Sequence, residues 1–218
     1  AKGVLGRMAE ALTMGDAPYA LKVFSIAGNH KSVQGSIPAI QISSGGGMLQ
    51  LNNFESNSPG IFNMSATESV GLFAETFAQH LEDTLATSNA MGAFLGSGGP
   101  AEQALIGSFG NGRLSRQMKQ VAKIIIQRNH PVLDSERNLF VVEHRGGFDS
   151  HQGLDLSDQH AAMDGAISEL ANEMKAHDLW DNVTVIQMSE FGRTLTTNGM
   201  GTDHAWGGHN LIVGGAVD

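Results

Sequence analysis

The stretch VTVIQMSEFG (Val183–Gly192) decides the fold class. Its β-branched and apolar residues give way to a polar pair, Ser189 and Glu190, and then to a glycine. A run this short and this rich in β-branching predicts a strand. Before it, Leu156, Met163, Ile167, Leu170 and Met174 mark one face of an amphipathic helix. NLFVVEH (Asn138–His144) precedes that helix and reads as a buried strand, and HNLIVGG (His209–Gly215) is the last apolar run. Helix, strand, helix, strand, turn, strand is the order of βαβ crossovers and a mainly parallel sheet flanked by helices. In such sheets ligands lie beyond the carboxyl ends of the strands.

Upstream, the first 15 residues predict a short helix ending at Gly15. YALKVFSIAG (Tyr19–Gly28) and SIPAIQIS (Ser36–Ser43) are β-like runs separated by a polar turn. Val70, Phe73, Phe77, Leu81 and Leu85 form an apolar stripe at helical spacing, broken by GSGGP (Gly96–Pro100). Leu114, Met118, Val121 and Ile125 mark a further amphipathic helix. The expectation is one α/β domain over residues 1–218. The chain opens without an initiator Met and stops on a strand-like run, so it reads as an internal piece of a longer protein, cut at both ends.

Composition narrows the function. The 13 basic and 22 acidic residues give a net charge of −9, which argues against a nucleic-acid surface, since that needs a cationic face. The absence of cysteine removes disulfides, zinc–thiolate sites and thiol nucleophiles. No apolar run approaches the roughly 20 residues that span a bilayer. No phosphate-cradling glycine loop and no G-x-S-x-G elbow is present.

Three polar clusters follow or border the expected strands. RGGFDSHQG (Arg145–Gly153) places Asp149 and His151 past the first, and Glu190, with Arg193 close behind, ends the second. GTDHAWGGHN (Gly201–Asn210) brings Asp203, His204 and His209 ahead of the last. If the strands are parallel neighbours, these clusters converge on one edge of the sheet. Imidazole with carboxylate suits zinc, manganese or iron, and Arg193 could pair with a phosphate or sulfate oxyanion. Plainer readings stand beside these. Asp149 and His151 could be an Asx-type turn with a solvated histidine. Glu190 could be a structural partner of Arg193, and Asp203 with His204 an ordinary loop pair. His209 reads as a surface residue, and Trp206 as an anchor that packs its loop down rather than a stacking platform. Of the remaining histidines, His144 beside Glu143 is the hardest to dismiss, and His160 and His177 read as solvated helix face.

The ordered set GGFDSHQGL, LWDNVTVIQMSEFGRTLTTNG and GTDHAWGGHNLIVGG resembles the carboxyl half of the domain of unknown function 1501. That family is related to the alkaline phosphatase and sulfatase superfamily. The resemblance implies an alkaline phosphatase-like α/β fold, incomplete in this chain. It implies a divalent metal held by Asp149, His151, Glu190, Asp203 and His204, with His209 a weaker match for the last ligand. Where the superfamily has Ser-Asp-His-Gly, this chain has Ser189, Glu190, Phe191 and Gly192, and Phe191 cannot stand in for the ligand histidine. The superfamily's Ser or Thr nucleophile would lie before this chain. The implied activity is metal-dependent hydrolysis of phosphate or sulfate esters, with an anionic ester as substrate and an exported or extracellular setting. The alternative is a non-catalytic relative that serves as a structural or assembly component with protein partners.

Overall fold

The computed structural model describes residues 2–14, 20–47, 59, 60, 63, 72–153 and 155–217. The chain forms two compact units, Ala1–Ala104 with Lys123–Val142 and Leu105–Ala122 with Glu143–Asp218.

In the first unit a three-stranded parallel sheet has the order β2-β1-β3, from β1 (Leu21–Ser25), β2 (Ala39–Gln41) and β3 (Arg137–Val141). Parallel neighbours need a crossover of about a dozen residues. Residues 26–38 supply it, with a 3₁₀ turn at Lys31–Val33. The His30 imidazole starts that turn by accepting from the Ser32 amide at 3.2 Å. Phe24 and Phe140 face each other in register, their rings stacked at 5.5 Å. Helix α1 (Val4–Thr13) buries Gly6 and Ala9, and Ala9, Val23 and Val33 form a closed apolar cluster with Leu5, Leu139 and Val141 packed around it.

Helix α2 (Leu72–Leu95) ends where the glycines begin, and Pro100 opens the short α3 (Pro100–Gln103) at the position where its missing N–H costs nothing. The buried side of α2 carries Leu85, Ser88, Met91 and Leu95. Phe77, expected on that side, is 70 % exposed. Val70 and the side chain of Phe73 lie outside the described residues. Lys123 is buried and satisfied by the Leu95 carbonyl at 2.9 Å and the Glu102 carboxylate at 3.4 Å.

The second unit is built on α5 (Ser157–Ala176), which buries Ala166, Leu170, Glu173 and Met174. Helix α4 (Arg113–Ile126) begins in this unit and buries Leu114, Met118 and Val121, as its spacing predicts. The Glu173 carboxylate accepts from the amides of Ile106 and Gly107 at 2.8 and 2.7 Å. His177, expected as solvated helix face, instead lies 3.1 Å from that carboxylate. Gln117 exchanges a reciprocal pair of hydrogen bonds with the Glu143 backbone, both at 2.9 Å. The loop after β3 therefore starts from a fixed point.

The stretch that decided the fold class is a strand, β4 (Thr184–Gln187), but its partner is antiparallel. Val185 faces Val213, and Ile186 faces Ile212, of β7 (Leu211–Gly214). A mainly parallel sheet is thus replaced, in this unit, by antiparallel pairs. The second pair is β5 (Gly192–Arg193) with β6 (His204–Ala205). Overall the chain is mixed α/β with a small parallel sheet. Among the described residues no helix is long and apolar enough to cross a membrane.

Candidate metal centre

The segment 188–210 leaves β4 and returns along β7, and the short β5–β6 ladder folds it back on itself. Two backbone hydrogen bonds join Arg193 and Gly207, at 2.6 and 3.0 Å, and the Thr194 amide donates to the Asp203 carbonyl at 2.9 Å. A tight turn follows in TTNGMG (Thr196–Gly201). The Asn198 side chain accepts from the amides of Met200 and Gly201 at 3.1 and 2.8 Å, and Gly199 takes a positive φ of 95°. Asn198 thus makes an Asx turn, for which its Asn-Gly pairing is the sequence signal.

This loop docks on the one carrying Asp149 and His151. The Gly153 amide donates to the Met200 carbonyl at 2.7 Å. Gly201 passes so close to His151 that a Cβ there would lie 2.4 Å from the His151 carbonyl oxygen. Arg193 completes the join: its guanidinium donates to the carbonyls of Thr202 (2.8 Å) and Phe148 (2.9 Å) and to Asp149 (2.9 Å). Three of its five N–H bonds are thereby committed. The partner suggested for it in sequence, Glu190, is replaced by Asp149.

The docking brings four of the expected residues into one chain of contacts. Asp149 Oδ1 lies 3.1 Å from His151 Nε2 and 2.8 Å from His204 Nε2. His151 Nδ1 lies 3.1 Å from Asp203 Oδ1. Asp149, His151 and His204 each offer one donor atom, all within 4.8 Å of one another, and this is the metal-competent group among the described residues. Glu190 is not in it: β4 ends three residues earlier, at Gln187, and the chain bends at Glu190 itself. His209 is exposed and also outside the group.

The rings are stacked as well as bonded. Phe191 lies on His204 at 4.3 Å with only 9° between the planes, and His204 lies on His151 at 5.1 Å. The Arg193 guanidinium sits 4.9 Å from the Phe191 centroid. Phe191, which cannot coordinate a metal, thus supports the imidazole that can. The hydrogen bond from His204 holds the Asp149 carboxyl below its usual range against the opposing pull of desolvation. The charge of Arg193, and those of His204 and His151 when protonated, add to that lowering. Roughly half of each donor side chain is open to solvent.

By residue type this donor set could hold a divalent ion. Tetrahedral coordination with bonds of about 2.0–2.1 Å separates neighbouring donor atoms by about 3.3 Å. The two spacings at Asp149 Oδ1, 3.1 and 2.8 Å, are hydrogen-bond lengths, so an ion there would need these donors to open by a few tenths of an ångström. Asp203 on Nδ1 of His151 is the carboxylate–imidazole pairing that fixes a ligand histidine's tautomer.

No curated protein and no solved structure matches the chain. A family model described as "Protein of unknown function (DUF1501)" matches residues 65–218, and the chain belongs to that family.

Proposed function

We propose that this chain carries the divalent-metal centre of a hydrolase acting on phosphate or sulfate esters, related to the alkaline phosphatase and sulfatase superfamily. The observation that carries the reading is the pair His151 Nε2 and Asp149 Oδ1, 3.1 Å apart, with Asp203 on the other ring nitrogen. A neutral imidazole that donates Nδ1–H to Asp203 turns the Nε2 lone pair onto a carboxylate oxygen. Two lone pairs face each other stably only with a cation between them, a proton or a metal ion. His204 Nε2 converges on the same oxygen.

Asp149, His151 and His204 would hold the ion, and zinc, manganese or iron suits two imidazoles and a carboxylate. Such an ion, when bound, would polarise an ester oxygen and stabilise the leaving alkoxide. The chain's own residues do the rest. Asp203 orients His151, Phe191 backs His204, and Arg193 fixes Asp149 while keeping two N–H bonds that an ester oxyanion could meet. The half-open donors leave access for a bulky anionic ester. The superfamily resemblance supplies the reaction class, and the family resemblance an exported setting.

A second reading rests on the proton. With His151 as the imidazolium, Asp149 Oδ1 accepts from Arg193, His151 and His204, and the cluster is a complete clasp between loops without any ion. The protein is then a non-catalytic relative working in an assembly.

The test is the metal content of the purified protein by elemental mass spectrometry, with His151→Ala beside the wild type. About one equivalent of zinc, manganese or iron, lost in the variant, supports the metal centre and calls for a phosphatase and sulfatase screen. Metal-free wild type that also fails to take up zinc or manganese on titration overturns it in favour of the clasp.

A further inference from the structure

Trp206 does not pack its loop down. It is 84 % exposed, among the most exposed of the large apolar side chains, although an indole is among the costliest to leave in water. Its neighbours Ala205, Gly207 and Gly208 have little or no side chain to cover it. The backbone beneath is held: Gly207 exchanges two hydrogen bonds with Arg193, and Gly192 fits against the 205–207 backbone so closely that a Cβ there would meet the carbonyls of Ala205 and Gly207 at 2.6 and 2.7 Å. Trp206 follows His204 by two residues, so their Cα atoms are at most about 7 Å apart. Leu195, 79 % exposed, would crowd a Cβ at Gly207 at 3.0 Å and adds apolar surface beside that glycine.

A bare indole on a hydrogen-bonded backbone beside a polar centre is a binding feature, since an aromatic ring with only two side-chain torsions gives large contact area at little entropic cost. We propose that Trp206 determines specificity at this site, as a stacking platform for a flat-faced ring, aryl or sugar, in the alcohol part of the ester. This rests on the ester-binding reading of the Asp149 cluster and names the substrate's other half.

The test measures binding of phenyl phosphate, glucose 6-phosphate and methyl phosphate to the intact protein by calorimetry, in wild type and Trp206→Ala. A Trp180→Phe protein, in which Trp206 is the only tryptophan, reports stacking by its fluorescence. The expected result is that at least one ring ester binds about tenfold more tightly than methyl phosphate and shifts the Trp206 emission. In Trp206→Ala that advantage disappears while methyl phosphate binds as before, and the ring ester affected tells aryl from sugar. Ring and methyl esters binding alike in wild type, or a ring preference that survives Trp206→Ala, overturns the platform and leaves ester binding intact. If none of the three esters binds, and none of their sulfate counterparts measured in the same way, both the platform and the ester reading fall.

Discussion

Nε2 of His204 lies 2.8 Å from Oδ1 of Asp149, across 55 positions of sequence. The contact exists because two loops are pinned to each other by backbone, not because the two side chains seek each other. Arg193 reaches both loops at once, through Thr202 on one side and Phe148 with Asp149 on the other. The geometry of the candidate metal centre therefore depends on groups that take no part in binding an ion.

Arg193→Lys tests that dependence. An ammonium cannot reach Thr202, Phe148 and Asp149 together, as the planar guanidinium does. The Arg193 side chain is four-fifths buried, so the hydrogen bonds it makes are shielded from water. The expected loss is about 2–3 kcal/mol of unfolding free energy, read from the urea midpoint. An unchanged midpoint would show that the loops hold together without it.

Gly201→Ala tests the other joint. The new methyl would meet the backbone oxygen and carbon of His151 at 2.4 and 2.6 Å, and neither can move without moving the loop. The expected cost is about 1–3 kcal/mol. The Gly153 amide, bonded to Met200 across the joint, should lose hydrogen-exchange protection. Wild-type protection at Gly153 in the variant would refute the close approach.

How much of this was legible in the sequence depends on range. The faces of α4 and α5 were readable because helical burial repeats locally: Leu114, Met118, Val121, Leu170 and Met174 are all buried. Strand β4 was readable from its β-branching, but the direction of its partner was not. That is set by where the chain turns between 188 and 210, which no periodicity encodes. The same turn explains the site. Asp149, His151 and His204 stood out by residue type and motif order, and they meet. Glu190 stood out equally and lies outside the group, because the strand stops short of it. Trp206 reads from sequence as an anchor and is instead exposed, since exposure is a property of the finished fold.

Glu173→Gln should be costly although it looks conservative. Both carboxylate oxygens of this buried residue accept backbone amides, from Ile106 and Gly107. A glutamine offers one oxygen and turns an NH₂ toward the other amide, leaving a buried donor against a donor. About 2–3 kcal/mol of stability should be lost, measured by chemical denaturation. Equal stability of the variant and wild type would mean that this loop is not held by the carboxylate.

Glu10 sets a dependence on pH in the first unit. Hydrogen bonds from Lys2 Nζ at 2.7 Å and from the Ser36 amide at 2.8 Å hold its carboxyl down to about 2. A carboxyl lowered by folding stabilises the fold fully above its unfolded value, about 4.3, and the gain fades as pH falls toward the folded value. Glu10→Gln, which keeps the shape and removes the charge, should therefore melt below wild type at pH 7. The gap in melting temperature should narrow from about pH 4.3 downward and close only below about pH 2, where both side chains are neutral. Because the group is exposed, the gap should also shrink in high salt. A gap of constant size from pH 7 to pH 2 would assign the difference to shape rather than to the charge on Glu10.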